Sequence, residues 1–327
     1  MGRDQRLPRR RAVWRGALAA AALALMAAPA SAQDTYPRRA VEIVVPFAAG
    51  GSTDLGARIF AEALQARWDM PVKVVNRPGG NTVPGVQEVM TAAPDGHTIL
   101  MDGPGSSSML DTVVRDLPFK ATDRTFISLA AQTPLMLIVG AASELKSLDD
   151  VVAAARKDPA GFSWTSGPGT TDMTFRRLFQ LIGVDHRKTR PVQVRGGSEA
   201  VNLVAGGHVR VGVGFWGTIA PLYGADKLRI VAVAGTERFP ELPDVPTAAE
   251  AGVPDLEILQ WIGFSGPPGL PAHVVAKWTE DLAGIAREPK VVEGLKRLGL
   301  VAFPSAGSDM QEFVETEQAL VKQLWAE

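Results

Sequence analysis

The sequence contains no cysteine, and this absence removes several classes of chemistry at once. Without a thiol the chain has no disulfide, thiolate metal site, cysteine nucleophile or lipid-modified N-terminal cysteine. The four histidines, His97, His186, His208 and His273, show no H-E-x-x-H or other metal-ligand spacing. Each is interpreted as a surface or satisfied core histidine, so the sequence predicts neither a metal centre nor a cofactor.

Motifs for nucleotides and for ester hydrolysis are also lacking. The stretch GPGTTD has two glycines but not the third of G-x-G-x-x-G, and no Walker lysine follows any glycine-rich loop. No G-x-S-x-G elbow is present. With no visible nucleophile and base, the chain is predicted not to be an enzyme.

The sequence has no apolar run long enough to span a bilayer, although a shorter apolar run lies near the N-terminus. A basic start, MGRDQRLPRRRAVWRG, leads into ALAAAALALMAAPA, and Ala30-Ser31-Ala32 precedes Gln33. This pattern predicts a signal peptide over residues 1–32, cleaved between Ala32 and Gln33, and a soluble periplasmic protein. Arg9 to Arg11 leave twin-arginine export open beside the general secretory route.

An excess of positive charge is absent as well. Six arginines and one aspartate fall in the predicted leader, so 28 basic and 34 acidic residues remain, a net charge of −6. That balance argues against nucleic acid or an anionic membrane as the main partner. A mature chain of about 295 residues exceeds what one core usually fills, so two domains are expected.

Strand-like and helical patterns alternate along the chain. Strands are predicted at 40–46, 72–76, 97–102, 126–131, 135–140, 162–165, 191–194, 209–215 and 228–234. Helices are predicted after most of them, including starts at Ser147, with Asp150 completing a capping box, and near Thr171, Ser198 and Pro221. Three more are predicted from about Pro271, Pro289 and an N-cap at Ser308. The repeating β-α order predicts an α/β fold with a mostly parallel sheet.

The absence of a low-complexity linker favours one domain inserted into the other. The predicted domains are 33–135 plus 260–327, which is discontinuous, and 136–259. The chain is expected to cross between them near Thr133 to Gly140 and Gln260 to Pro267.

Glycine, serine and threonine cluster at four strand-to-helix junctions: FAAGGSTD (47–54), GPGSSS (103–108), TSGPGTTD (165–172) and RGGSEA (195–200). In open α/β sheets such junctions form the crevices where ligands bind. A helix start also presents unpaired N–H groups to an anion, worth roughly 0.3 to 2 kcal/mol. The candidate ligand-binding residues are Phe47, Ala48, Ala49, Gly50, Gly51, Ser52, Asp54, Gly103, Ser106, Thr165, Gly167, Gly169, Thr170, Thr171, Arg195, Gly196, Phe215 and Trp216.

Each loop taken alone is more typical of a turn with a helix cap than of a binding site. Ser52, Thr53 or Asp54 can cap the first helix, and Thr170 or Thr171 a later one. Arg195 is the one arginine beside these loops that is a candidate carboxylate partner. Tryptophans 216 and 261 are compatible with a cleft wall or with the core.

Several stretches carry a family resemblance: YPRRAVEIVVPFAAGGSTDLGAR (36–58), VNRPGGN (75–81), APDGHTIL (93–100), PELPDVPTAAEAG (240–252) and WIGFSGPPGLP (261–271). In this order and spacing they resemble the solute-binding proteins of tripartite tricarboxylate transporters. This is the Bug family, also known by its tricarboxylate-binding member TctC.

The resemblance implies a periplasmic binding protein of type II, a Venus flytrap of two α/β domains joined by two crossing segments. It implies that the loops 47–54 and 165–171 approach a small organic acid from opposite domains, and that a two-component membrane permease receives the ligand. A monomer without catalytic activity is expected. The alternatives that remain open are an exported sensor protein that signals to a kinase and an exported enzyme on the same fold.

Four positions depart from the family pattern: Met173, Val194, Arg210 and Gly214 replace residues that are often a histidine, a tyrosine and two aspartates. Without those acids, a substrate with an amino group is not expected. The departures favour a less polar or bulkier carboxylate near Val194, Phe215 and Trp216.

Overall fold

A computed structural model describes residues 36–167, 169–194 and 197–326. The predicted leader and the candidate residues Arg195 and Gly196 lie outside the described residues. From Arg39 onward the described chain folds as one compact unit. None of its helices has the length and apolarity needed to cross a membrane.

The strands of the described chain are β1 (Val41–Val45), β2 (Val72–Asn76), β3 (Thr98–Asp102), β4 (Thr125–Gly140), β5 (Ser163–Ser166), β6 (Arg190–Gln193), β7 (Val211–Gly214), β8 (Leu228–Ala234), β9 (Leu259–Gly266) and β10 (Val301–Ala302). The helices are α1 (Ser52–Trp68), α2 (Val83–Met90), α3 (Leu110–Val113), α4 (Leu148–Lys157), α5 (Thr170–Ile182), α6 (Gly197–Ala205), α7 (Trp216–Tyr223), α8 (Ala272–Ile285), α9 (Pro289–Arg297) and α10 (Gly307–Ala326).

Strand pairing divides the molecule into two lobes. In the first lobe β1 is parallel to β2 and β3, β9 lies between β3 and the first part of β4, and β10 pairs with β4. In the second lobe β5 is parallel to β6 and β7, and the last part of β4 lies between β7 and β8. Helices pack against the strands of both lobes.

The prediction of two strands at 126–131 and 135–140 is wrong, because both runs belong to the single strand β4. Pro134 lies between them, opposite Leu259, and has no N–H to donate. Pairing resumes immediately, since Leu135 N–H donates to the carbonyl of Ile258 at 3.1 Å. At this point β4 exchanges its partner β9 for β7 and β8, so one strand crosses from the first lobe to the second.

The expectation of a mostly parallel sheet is also wrong. β9 is antiparallel to β3 and β4, and β4 is antiparallel to β7, β8 and β10. The cause is that β4 runs through both lobes as one continuous strand, and β9, which was not predicted as a strand, runs antiparallel between β3 and β4. The sheet is therefore mixed.

The C-terminal helix α10 contacts both lobes. Met310 and Val314 pack with Trp261 and Phe126 of the first lobe. Val321 and Leu324, about two to three turns later, belong to the core of the second lobe together with residues of α5. The domain boundaries proposed from the sequence stay a prediction, and this packing associates the last turns of α10 with the second lobe.

Most predicted helix starts lie within one residue of the observed ones, and at Ser147 a side chain caps the helix. Ser147 Oγ accepts from Asp150 N–H at 3.2 Å, and the Asp150 carboxylate accepts from Ser147 N–H at 3.1 Å, which confirms the capping box. The start predicted near Pro221 is wrong, because Pro221 lies inside α7, which begins at Trp216. The last helix, α10, begins at Gly307, one residue before the predicted N-cap Ser308. A proline has the φ angle of a helix and also fits near its end, so it does not fix the first residue.

Candidate functional site

A cavity of about 770 Å³ opens where β1, β3, β5 and β7 end. Its walls come from both lobes: the loop 47–53 and residues 104, 105, 109, 110 and 113 on one side, and residues 169–170, 197–199, 215, 217 and 218 on the other. Strand β9 contributes Gln260. The carboxyl ends of strands thus meet around one cavity, as open α/β folds favour.

The loop between β1 and α1 turns at two glycines with different roles. Gly50 has φ of +83°, a conformation that favours glycine, while Gly51 has φ of −78° and precedes the helix. No side chain caps α1 at Gly51. The first N–H groups of a helix have no partner within the helix, and Gly51, Ser52 and Thr53 all line the cavity.

Asp54 holds this loop in place from behind. Its carboxylate accepts from Gly50 N–H at 2.8 Å, from Asn76 Nδ2 at 2.9 Å, and from Arg58 Nη2 at 2.9 Å. Asn76 also donates to the carbonyl of Phe47 at 3.2 Å. Burial by itself raises the pKa of Asp54, but the hydrogen bonds from Arg58, Gly50 and Asn76 outweigh it and lower the pKa. Asp54 is buried and does not line the cavity, so it positions the loop.

The opposite wall includes the start of α5. Gly169 has φ of +80° and precedes the helix without a side-chain cap. Gly169 and Thr170 line the cavity, and the Thr170 hydroxyl donates to Gln260 Oε1 at 2.9 Å. This bond links the start of α5 in the second lobe to strand β9 of the first.

Two further helices begin at the same cavity. Gly197, Ser198 and Glu199 of α6 and Phe215, Gly217 and Thr218 at the start of α7 line it. The four helix starts, of α1, α5, α6 and α7, therefore converge on one space. Each carries a partial positive charge worth roughly 0.3 to 2 kcal/mol to a nearby anion.

Charged side chains contribute little to this wall. Among the described lining residues, Glu199 is the only one with a charged side chain, and none is lysine, arginine or histidine. The described part of the chain also contains no group of three or more acidic or histidine side chains that could hold a metal ion. Attraction for an anion at the described wall thus comes from backbone N–H groups and helix starts.

Apolar side chains cover much of the remaining wall. Leu55 is 37% exposed and Val113 is 43% exposed, and both face the cavity beside Met109 and Leu110. Large apolar side chains exposed in a concave site are available to pack on the apolar part of a ligand.

Strained backbone lies next to the cavity at residues 79–82. Asn81 and Thr82 have φ of +50° and +71°, and both line the cavity. The Thr82 hydroxyl donates to the carbonyl of Gly105 at 3.1 Å, which ties this segment to the loop after β3. A positive φ at a residue with a side chain is costly and concentrates at binding sites.

Gly103 and Ser106 do not line the cavity, because they are part of a buried polar network. The Asp102 carboxylate accepts from Gly103 N–H at 2.9 Å, Ser106 Oγ at 2.6 Å and Arg124 Nη2 at 2.5 Å. Asp102 and Arg124 form an ion pair whose side chains are inaccessible to solvent. This network fixes the loop whose neighbouring residues, Pro104 and Gly105, reach the cavity.

Four more candidates from the second lobe lie away from the wall. Thr165 is fully buried, Gly167 leaves no room for a side chain beside Val194, and Thr171 is half-buried on α5. Trp216 packs edge-on against Tyr223 and at a tilt against Phe239. Of the three residues expected near the bulk of the ligand, Phe215 lines the cavity, whereas Val194 and Trp216 do not.

Several lining residues were not among the sequence candidates. Gly197, Ser198 and Glu199 belong to the recognised RGGSEA stretch, and Asn81 ends the VNRPGGN stretch, so a signal was available. Gln260 and Leu298 had no such sequence signal, since only the crossing strands and the packing of α9 bring them to the cavity.

Comparison with known sequences assigns the family. The family model for the receptor of the tripartite tricarboxylate transporter family, TctC, matches residues 56–326. The UPF0065 protein in the tcbD-tcbE intergenic region of Pseudomonas sp. (strain P51) is 33% identical, with 93% of this chain and 91% of that protein covered. Protein BugT of Bordetella pertussis is 28% identical, with 90% and 91% covered.

Solved structures agree with the sequence matches. R. palustris Rpa4515, solved with adipate, superposes with a TM-score of 0.80 at 27% identity and covers 89% of this chain and 99% of its own. The periplasmic binding protein BugD gives a TM-score of 0.76 at 26% identity, with 89% and 98% covered. The predicted fold class, a periplasmic binding protein with two α/β domains and two crossing segments, is confirmed. The chain belongs to the TctC family of tripartite tricarboxylate transporter receptors.

Proposed function

We propose that this receptor captures a small organic carboxylate in the cavity between its lobes. The observation that carries the proposal is the convergence of four helix starts on a cavity whose described wall has no cationic side chain. Such a wall stabilises an anion through backbone N–H groups. A bound adipate in the related structure Rpa4515 supports the same class of ligand.

The acid group is placed at the start of α1. Gly51, Ser52 and Thr53 offer N–H groups and hydroxyls there, and Gly51 leaves the backbone open to close approach. Gly169 and Thr170 approach from the second lobe. When the lobes close, water is excluded and each of these contacts strengthens, because electrostatic interactions grow in a medium of lower dielectric constant.

The remainder of the ligand is less polar than its acid group. Leu55 and Val113, whose side chains are exposed, offer it an apolar surface. A micromolar dissociation constant corresponds to about −8 kcal/mol. Helix starts at roughly 0.3 to 2 kcal/mol each supply part of this, and burial of apolar surface at about 25 cal/mol per Å² supplies the rest.

Delivery to a membrane permease follows from the family and remains part of the proposal. The leader at 1–32 and its cleavage after Ala32 would place the mature receptor in the periplasm. There it passes its ligand to the membrane subunits of a tripartite transporter and catalyses no reaction.

A matched ligand panel tests the proposal. Thermal unfolding of the purified protein, stripped of co-purified ligand, is measured with organic carboxylates and with the primary amide of each acid. Binding to the folded state alone stabilises it by about 2.7 kcal/mol at a ligand concentration of 100 times Kd. At least one carboxylate is expected to raise the melting temperature while its amide does not. No shift with any acid, or equal shifts with acid and amide, would contradict the proposal.

A further inference from the structure

A second cavity, of about 580 Å³, lies on the other side of the crossing strands. Successive side chains of a strand point to opposite faces. On β9, Leu259 lines the second cavity and its neighbour Gln260 lines the first. The two cavities are therefore separated by the strands that join the lobes, and an occupant of the second one would not compete directly with a carboxylate in the first.

The floor of the second cavity is apolar with one unsatisfied hydroxyl. Met173, Phe239 and Ile258 are buried in it. Thr133 is 0% exposed, lines the cavity, and its Oγ1 has no hydrogen-bond partner. A buried hydroxyl without a partner is unfavourable, so a polar group that a ligand brought within hydrogen-bond distance of this atom would be stabilised.

Acidic side chains dominate the charged part of the wall. Glu317 of α10 lies at depth, 8% exposed, and accepts hydrogen bonds from Trp261 Nε1 at 3.0 Å and from the Ser108 hydroxyl. Glu237 and Glu257 stand at the exposed rim. The one cationic side chain of the wall, Arg238, already donates to Glu250 at 2.8 Å and to the carbonyl of Pro243 at 2.9 Å.

We propose that the second cavity binds a small amphipathic organic cation. Its ammonium group would donate to Thr133 Oγ1 and to the Glu317 carboxylate, while its apolar body packs on Met173, Phe239 and Leu320. The charge preference is opposite to that of the first cavity, and the inference does not depend on the carboxylate proposal.

The ionisation of Glu317 gives this site a pH signature. Burial raises the pKa of Glu317 to about 7, and the charge of Asp102 acts in the same direction, against hydrogen bonds from Ser108 and Trp261. The other charged groups are Arg124, which is paired with Asp102, and Glu237, Glu257 and Arg238 of the wall. An ammonium beside Glu317 favours the charged form of this carboxylate, so binding of the cation releases the Glu317 proton. The cation therefore binds more tightly at pH 8 than at pH 6.

Calorimetric titration of the full mature chain with 2-phenylethylammonium tests the site, with 2-phenylethanol as the neutral ligand of matched shape. The ammonium is expected to bind more tightly than the alcohol. Thr133→Val and Glu317→Gln are each expected to weaken it by about tenfold, the effect of losing a hydrogen bond to a charged group. Glu312→Gln, an exposed position on the same helix outside the cavity, serves as the matched control and leaves the affinity unchanged.

Two further variants keep the result interpretable. Leu320→Trp fills the cavity from its half-buried edge and is expected to abolish binding, which covers the case in which Glu317→Gln fails to fold. Gly51→Val, in the first cavity, is expected to leave ammonium binding intact. The proposal is overturned if the alcohol binds as well as the ammonium, if Thr133→Val and Leu320→Trp have no effect, or if Gly51→Val removes the binding.

Discussion

At the scale of single residues, the loop after β1 contains residues that line the cavity and a different residue that holds the loop in place. Gly51 and Ser52 face the cavity, whereas Asp54 lies behind them and binds Gly50 N–H, Asn76 and Arg58. The same short stretch therefore contains the residues that would touch a ligand and the residue that fixes them. An interpretation of Ser52, Thr53 or Asp54 as a simple helix cap does not match this geometry, since no side chain caps α1.

Substitution of Gly51 separates binding from folding. Gly51 has φ of −78°, and an added Cβ would meet only Ala48 O, at 3.7 Å, so Gly51→Val is compatible with the fold. The branched side chain would occupy the space in front of the first N–H groups of α1. We expect at least a tenfold loss of carboxylate affinity in calorimetric titration, or about 1.4 kcal/mol, with an unchanged midpoint of unfolding in urea.

Gly224→Val is the matched control for this change. Gly224 follows α7 with φ of −65°, is exposed and lies outside the cavity, and its added Cβ would meet Ala220 O at 3.4 Å. It should bind the carboxylate with wild-type affinity. Equal affinity in the Gly51 and Gly224 variants would refute a role for the α1 loop.

Glu317 makes stability depend on pH. Its pKa is about 7 in the folded protein against a usual value of 4.5, so the folded state retains a proton that the unfolded state loses. Its contribution to stability is complete below about pH 4.5 and disappears as the pH rises through 7. Relative to Glu317→Gln, wild type should lose on the order of 3 kcal/mol of unfolding free energy between pH 4.5 and pH 8. Parallel urea-unfolding profiles for the two proteins across this range would show that Glu317 is not perturbed.

At the scale of elements, helix starts differ in what satisfies their N–H groups. α4 lies away from the cavity and has a complete capping box from Ser147 and Asp150. α1, α5 and α7 begin at the cavity, and none has a side-chain cap. The uncapped starts leave N–H groups available for a ligand, which is why we assign the acid group to them.

Removal of the α4 cap should therefore affect stability alone. Ser147→Ala deletes the acceptor for Asp150 N–H, and loss of an N-cap hydroxyl costs about 1 kcal/mol. We expect that decrease in urea unfolding, together with unchanged carboxylate affinity. A decrease in the carboxylate affinity of this variant would indicate that α4 is coupled to the site.

Sequence patterns located most elements and only part of the site. β2 and β8 were predicted with their bounds, and β1 and β3 to within a residue, because continuous apolar runs bounded by turn residues are strong signals. β9 and β10 were missed, and β4 was divided at Pro134, because their pairing depends on the crossing of the lobes. Gly50, Gly169 and Phe215 lie at or just after the ends of predicted strands and could be found as candidates. Gln260 and Leu298 could not, because only the tertiary packing brings them to the cavity.

At the scale of the whole molecule, three elements of the described chain join the lobes. β4 and the segment that enters β9 cross between them, and α10 packs on both. The first cavity lies on one side of these connections and the second on the other. Closure of the lobes over a ligand would thus act on the crossing strands, and the Thr170 to Gln260 hydrogen bond already spans the two lobes at that point.

The most direct test of carboxylate capture follows backbone amides during a titration. The ¹⁵N-labelled protein is titrated with the carboxylate that gives the largest thermal shift, and amide chemical shifts are recorded. The helix starts at Ser52, Thr53, Thr170 and Ser198 should shift together with one dissociation constant, because one ligand contacts both lobes. Shifts confined to a single lobe, or centred on Met173 and Phe239 of the second cavity, would contradict the proposed site.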